Sequence, residues 1–179
     1  MKSDGIRLVH GEPDSVPGLL ADRCAATSMN SYGPTIEHAT ANGVFKDFDV
    51  RCASVLDADV NASLRQYGKD DCRFDAIVPD PPKFAPSVNH AKRAARAYKD
   101  INRLAQSLLA PGSVLFNYCC SGGSSNSCFH KIVASVGIDA GVDAFISERM
   151  GSTPDLLMTV AFPAGECFKG SALLKGAVN

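Results

Sequence analysis

An acidic residue and a pair of thiols stand at the ends of two apolar stretches of this chain. The run 74–78 (FDAIV) is followed by Asp80, and the run that begins at Ser113 ends in Cys119 and Cys120. Short apolar runs of this kind are typical of strands buried in a parallel sheet. Ligands and chemistry in open α/β sheets gather at the carboxyl ends of the strands. The pattern therefore predicts an acid and a sulfur nucleophile at neighbouring strand ends, a combination suited to covalent attack on an electron-poor ring.

The turn after the first of these runs is stiff and carries further candidates. Pro81 and Pro82 follow Asp80 and restrict the backbone there. Behind them, Phe84 can stack on a nucleic-acid base and Lys83 can contact a phosphate. The plainer interpretation of Asp80 is an acidic turn after a strand, which is common in α/β proteins.

A long helix is predicted from about Asn89 to Ala110, and Pro111 and Gly112 are expected to end it. Its apolar residues recur at helical spacing and form one stripe that should face the core, made of Ala94, Tyr98, Ile101, Ala105 and Leu108.

The same region is strongly basic. Between Lys83 and Arg103 there are six Lys and Arg residues against Asp100 alone. This local positive charge predicts a surface for RNA, whose phosphates would be met by Lys92, Arg96 and Lys99. The alternative is a charged helix face that is merely solvated, which is the usual role of such runs.

The remaining pattern predicts an α/β fold. Strands are expected over 49–56, 74–78, 113–120 and 144–150, and shorter helices over 34–45, 60–67 and 127–140. Two further strands, 156–162 and 168–174, follow without a helix between them, which predicts an antiparallel edge. Residues 1–24 are rich in turns and show no sustained periodicity.

The composition is that of one folded domain. The 179 residues are 45% hydrophobic and 21% charged, which excludes disorder, and no apolar run has the length of a membrane span. The seven cysteines form no C-x-x-C pair, so neither a zinc site nor a disulfide framework is expected. Free thiols predict a cytoplasmic chain; an organellar location would require a leader upstream.

Several segments together resemble one enzyme family. They are FDAIV at 74–78, DPPKFAPS at 80–87, AYKDINRLA at 97–105, PG at 111–112 and CSG at 120–122. Their sequences and their order along the chain resemble those of the bacterial-type 23S rRNA (cytosine-5) methyltransferases, class I enzymes that use S-adenosylmethionine (SAM). The resemblance implies a Rossmann-like methyltransferase sheet with a C-terminal antiparallel hairpin, SAM as cofactor and ribosomal RNA as partner, with neither a metal nor a membrane.

The resemblance also implies roles for individual residues. Cys120 matches the family's nucleophilic cysteine, which adds to carbon 6 of cytosine so that carbon 5 can accept a methyl group. Asp80 matches the acid beside the base and also borders the cofactor. Asp59 matches the acid that meets the adenine amino group, although a helix N-cap is the competing role. Asn30 stands where the family has the acid that grips the ribose hydroxyls. Cys119 should be structural, because adjacent strand residues face opposite ways.

One part of the family pattern is missing. The family has a first sheet strand and a glycine-rich turn between an Asp-Arg pair, here Asp22-Arg23, and the ribose-binding position. In this chain only a few residues separate them, and no two glycines before residue 50 form G-x-G. We therefore expect a sheet that lacks its first, central strand and the turn. Residues 1–24 would be a remnant of the segment before the catalytic domain, and residues 25–179 a truncated methyltransferase domain.

Two other functions compete with cytosine-5 methylation. The chain can be a catalytically degenerate methyltransferase-like domain that only binds RNA through 83–103. It can also be a SAM enzyme that methylates a different base, since an acid-Pro-Pro-aromatic turn suits amino-group methylation; Cys120 argues against this second alternative.

Overall fold

One seven-stranded sheet organises the molecule. A computed structural model describes residues 6–10, 24–30, 53–81, 91–119, 125–151 and 168–176. The strands are β1 (Ile6–His10), β2 (Cys24–Asn30), β3 (Ala53–Asp57), β4 (Phe74–Val78), β5 (Leu109–Cys119), β6 (Ala144–Met150) and β7 (Lys169–Lys175). Their order across the sheet is β3-β2-β1-β4-β5-β7-β6. Strands β1 to β5 pair in parallel, and β7 runs antiparallel to both neighbours.

The central position of the sheet corrects one expectation. The sequence predicted a sheet without its middle strand, but Ile6–His10 lies there and pairs in parallel with both β2 and β4. An unfilled centre would leave two rows of backbone N–H and C=O groups unpaired, which is costly in a sheet. The segment IRLVH supplies those partners. The predicted division of the chain at residue 24 stays a prediction, although residues 6–10 and 24–30 pair with each other.

The described helices lie close to the predicted ones. They are α1 (Val60–Lys69), α2 (Ala91–Leu108) and α3 (Asn126–Ala140). The Ser125 side chain caps the start of α3, and Gly141 closes it with a left-handed φ of 62°. The strand predictions 74–78 and 144–150 are confirmed, as is the antiparallel end of the sheet. The predicted helix 34–45 and strand 156–162 lie outside the described residues.

The junction between α2 and β5 differs from its prediction. Pro111 and Gly112 were expected to end the helix, but α2 ends at Leu108 and β5 begins at Leu109 and passes through both residues. Phe74 pairs with Leu109 and Ala76 with Val114, so β5 carries extra residues in a bulge. Gly112 takes a φ of 75° there, which a residue with a β-carbon rarely adopts.

The core lies between the sheet and the helices α2 and α3. The predicted stripe of α2 is confirmed, since Ala94, Tyr98, Ile101, Ala105 and Leu108 are all buried. The Tyr98 ring meets the buried Phe129 ring of α3 edge to face, with centroids 6.3 Å apart.

A buried hydrogen-bond network joins helix α2 to the strands β5 and β7. The Asn117 amide of β5 donates to Asn102 Oδ1 of α2 at 3.0 Å. The Asn117 oxygen accepts from the backbone N–H and the hydroxyl of Ser171 in β7, at 3.2 and 2.6 Å. Asn102 in turn donates to the Tyr98 carbonyl at 2.9 Å. All three side chains are buried, so their bonding capacity has to be met inside the protein.

We expect Asn117→Ala to lower the free energy of unfolding by about 1–3 kcal/mol, because it leaves buried groups of Asn102 and Ser171 without their partner. Urea unfolding would measure the change. The exposed Lys131 of α3 offers a control, and Lys131→Ala should change stability by no more than about 0.5 kcal/mol. Equal effects of the two substitutions would show that the buried network does not fix the strands.

Candidate functional site

The carboxyl ends of the parallel strands bring several predicted residues to one edge of the sheet. Asn30, the last residue of β2, is the register partner of Asp57 at the end of β3. His10 at the end of β1 is the register partner of Val78 at the end of β4. Asp80 follows β4 by two residues, and Asp59 follows β3 by two. The fold therefore places Asn30, Asp59 and Asp80 along the same edge, as a shared ligand site requires.

The turn that carries Asp80 is joined to the neighbouring strand. The Tyr118 N–H of β5 donates to the Pro79 carbonyl at 3.0 Å, which extends the β4–β5 pairing up to the residue before the acid. Pro81, on the other side of Asp80, is buried. Hence Asp80 is held between two fixed neighbours at the mouth of the β4–β5 pair.

Tyr118 itself was not among the predicted site residues. Its ring lies against Gly170 of β7 and stacks on Phe168, with centroids 5.2 Å apart and planes inclined by 26°. Its hydroxyl donates to the Met150 sulfur of β6 at 3.7 Å. Burial raises the pKa of the Tyr118 phenol, and the charges of Asp80 and Glu148 raise it further. The signal in the sequence that could have indicated this contact is Gly170, because a glycine inside a predicted strand often marks a place where another group approaches the backbone closely.

The two cysteines at the end of β5 have separate outcomes. Cys119 is fully buried and belongs to the hydrophobic core, which confirms its expected structural role. Cys120, the predicted nucleophile, lies outside the described residues. The register partner of Cys119 is Lys169, which is only 3% exposed. Its burial was not expected from the sequence, because hydropathy predicts lysine at the surface.

On the cofactor side, Asp59 fills the competing role considered for it. Its Oδ1 accepts the Ala62 N–H at 2.9 Å and caps α1. The residue is nevertheless exposed, so capping does not prevent a contact with a ligand. The adenine contact of Asp59 and the ribose contact of Asn30 stay predictions.

The basic helix α2 divides into two halves. Lys92, Arg93 and Arg96 are exposed, and none of them forms an ion pair with another described residue. Farther along, Lys99 bonds to Asp139 of α3 at 2.6 Å. Asp100 is shared by Arg65 of α1 and Arg103, at 2.5 and 3.0 Å.

This division concentrates the uncompensated positive charge in the first half of α2. Of the predicted phosphate contacts, Lys92 and Arg96 fall in that half, whereas the charge of Lys99 is already balanced. Lys83 and Phe84 lie outside the described residues. In the part of the chain that the structure describes, no cluster of three or more possible metal ligands occurs, and no helix has the length and apolarity to cross a membrane.

Fold and site together define a class. Five parallel strands, a reversed β7 inserted between β5 and β6, and polar residues at the carboxyl edge make up the class I methyltransferase fold. Solved structures agree. A candidate SAM-dependent methyltransferase from Streptococcus mutans superposes with a TM-score of 0.78 over 97% of this chain and 45% of its own, at 14% identity. NSun6 from Pyrococcus horikoshii, solved with SFG, gives 0.63 over 98% and 48%, at 17% identity.

Sequence comparison points to particular relatives. The chain is 36% identical to Ribosomal RNA large subunit methyltransferase I of Pseudoalteromonas atlantica over 152 residues, 85% of this chain and 38% of that protein. It is 43% identical to the protein of the same name from Aeromonas salmonicida over 135 residues, 75% of this chain and 34% of that protein. The chain thus spans less than two fifths of the length of these relatives. No family model matches it.

The fit of Tyr118 against Gly170 can be tested by adding one methyl group. A β-carbon on Gly170 would lie 2.8 and 2.9 Å from Tyr118 Cδ1 and Cε1 and 3.2 Å from the Asn117 carbonyl oxygen. A rigid ring on one side and backbone on the other leave little room, so Gly170→Ala should destabilise by about 1–3 kcal/mol. Gly151→Ala is the control, because nothing lies within 4 Å of its added carbon. If urea unfolding finds the two variants equally stable, the Tyr118 ring does not lie on Gly170.

Proposed function

We propose that this protein is a SAM-dependent methyltransferase that acts on carbon 5 of a cytosine in ribosomal RNA through a covalent adduct with Cys120. The observation that supports the proposal is the pairing of β4 with β5, because it sets Asp80 and Cys119, the residue before Cys120 in the sequence, at adjacent strand ends. The similarity to proteins named Ribosomal RNA large subunit methyltransferase I supports the substrate.

The proposed chemistry divides between a thiol and an acid. Carbon 5 of cytosine is a poor nucleophile. Addition of the Cys120 thiolate to carbon 6 makes carbon 5 electron-rich, so that it can accept a methyl group. Asp80 lies beside N3 and the exocyclic amine and stabilises the attacked ring. After carbon 5 has been methylated, removal of its proton expels the thiolate and restores the aromatic ring. Cys119 does not compete for this role, since its side chain is fully buried in the core.

The cofactor side is proposed on the strand ends. SAM, when bound, supplies the methyl group from its sulfonium centre. Asn30 would meet the ribose hydroxyls, since an amide both donates and accepts hydrogen bonds. Asp59 would accept from the adenine amino group through its exposed carboxylate, and Asp80 would border the reacting end. These contacts fit one ligand because their strands end at the same edge of the sheet: β2 lies between β3 and β1, and β4 lies on the other side of β1.

The RNA side is proposed on the first half of α2. Lys92, Arg93 and Arg96 meet phosphates, which gives binding that tolerates sequence and weakens with salt. Lys83 and Phe84, which precede this helix in the sequence, add a phosphate contact and a base-stacking contact, respectively. Lys99 contributes less than its neighbours because Asp139 compensates its charge.

A trapping experiment tests the proposed chemistry. Large-subunit ribosomal RNA that contains 5-fluorocytidine should form a covalent adduct with the chain when SAM is present, because fluorine cannot leave as a proton does. The adduct, seen as a shifted band on a denaturing gel, should vanish in Cys120→Ala and persist in Cys119→Ala. Asp80→Asn should slow its formation without abolishing it.

Each other outcome favours a different function. An adduct that depends on Cys119 would place the nucleophile one residue earlier. Methyl transfer to RNA without any adduct would indicate that a different base position is methylated. RNA binding with neither adduct nor methyl transfer would indicate the degenerate RNA-binding domain.

Charge reversal tests the RNA surface separately. We expect Arg96→Glu to weaken binding to ribosomal RNA and to flatten the dependence of log K on log salt, since each lost phosphate contact lowers that slope by about one. Lys131→Glu, an equal change at an exposed site of α3, should leave both quantities unchanged. Lys92 and Arg93 can be reversed as well, because carboxylates are favourable in the first turn of a helix. Equal effects of Arg96→Glu and Lys131→Glu in filter binding would argue for a merely solvated helix face.

A further inference from the structure

Tyr118 connects the ends of four strands. Its backbone N–H bonds to Pro79 after β4, and its ring lies on Gly170 of β7. Its hydroxyl contacts Met150 at the end of β6. It belongs to β5 itself, directly before the two cysteines. A residue whose backbone bonds to the turn after β4 and whose side chain contacts β6 and β7 can hold the ends of these strands in one arrangement.

The position of the ring is fixed from two sides. Only the absence of a β-carbon on Gly170 lets the ring approach that strand so closely. Phe168 stacks on the ring, and its residue immediately precedes the start of β7. A phenol packed in this way keeps one orientation, so it can transmit that orientation to a neighbour.

Two carboxylates influence the phenol. Asp80 and Glu148 both disfavour the tyrosinate, in addition to burial. The side chain at position 118 therefore stays neutral at physiological pH and brings no competing negative charge to the acid. The Tyr118 N–H also holds the Pro79 carbonyl, directly before Asp80 in the chain.

We propose that Tyr118 is a positioning residue that fixes the Asp80 carboxylate at the reaction site by holding the turn after β4 against the ends of β6 and β7. The inference rests on the proposed function, in which Asp80 stabilises the attacked cytosine. Tyr118 does not touch the reacting atoms; it acts through the placement of Asp80. A displacement of a catalytic group by about 1 Å can cost on the order of 100-fold in rate, so such placement matters.

A double-mutant cycle tests the proposal, with the rate of adduct formation on 5-fluorocytidine-containing ribosomal RNA as the readout. Tyr118→Leu should slow the adduct by about as much as Asp80→Asn, up to roughly 100-fold. The double variant should be no slower than either, because both changes remove the same contribution. Tyr118→Phe should stay within about fivefold of the unmodified chain, since thioether sulfur is only a weak acceptor.

Multiplying effects in the double variant, or full activity of Tyr118→Leu, would overturn the proposal. If Tyr118→Leu fails to fold in urea titration, Gly170→Ala replaces it, because that change displaces the ring and keeps the tyrosine. It should then slow the adduct as well, and an unchanged rate would again overturn the proposal.

A spectroscopic measurement separates this inference from the proposed function. The ionisation of Tyr118 is followed at alkaline pH as the difference between the chain and Tyr118→Phe. Asp80→Asn should lower the pKa of Tyr118, whereas Asp71→Asn, at an exposed turn, should not. An unchanged pKa in Asp80→Asn overturns the positioning role. A lowered pKa in a chain that forms no adduct overturns the proposed reaction and leaves the coupling of Tyr118 to Asp80 in place.

Discussion

The register between β5 and β7 is the constraint on which the site depends, and the buried Asn117 amide enforces it. Its oxygen accepts hydrogen bonds from the backbone N–H and the hydroxyl of Ser171, and its nitrogen donates to Asn102 of α2. A shift of β5 by one residue would turn this amide to the opposite face and leave buried polar groups of α2 and β7 without partners. With Asn117 fixed, Cys119 points into the core on the same face, while Tyr118 falls on the other face, over Gly170.

That alternation buries the thiol of Cys119, the residue directly before Cys120 in the sequence. The thiol at 119 is removed from any ligand by burial, so a reaction at this edge has to use a different group. The face that carries Tyr118 also carries Phe168, and Asp80 and Glu148 act on the phenol. Strand β7 therefore does more than pair with its two neighbours: it supplies the glycine that admits the tyrosine ring, and the residue directly before it, Phe168, stacks on that ring.

The sequence predicted correctly those elements whose pattern depends only on their own residues. The bounds of β4 follow from a continuous apolar run, and the buried stripe of α2 follows from helical spacing. It was insufficient where the structure depends on a distant partner. Nothing in Ile6–His10 indicates that it lies between β2 and β4, since pairing is set by strands elsewhere in the chain. The burial of Lys169 and the fit of Tyr118 on Gly170 likewise appear only when β5 and β7 are side by side.

The position of β1 at the centre of the sheet matters for any ligand that binds at the carboxyl ends of the strands. Every ligand that bridges the carboxyl ends of β2 and β4 also spans β1, because β1 separates them. Residues 6–10 hold this position by backbone pairing on both sides. A ligand that bound across this edge would therefore require β1 in place: its binding would stabilise the pairing of β1, and loss of that pairing would weaken its binding by the same free energy.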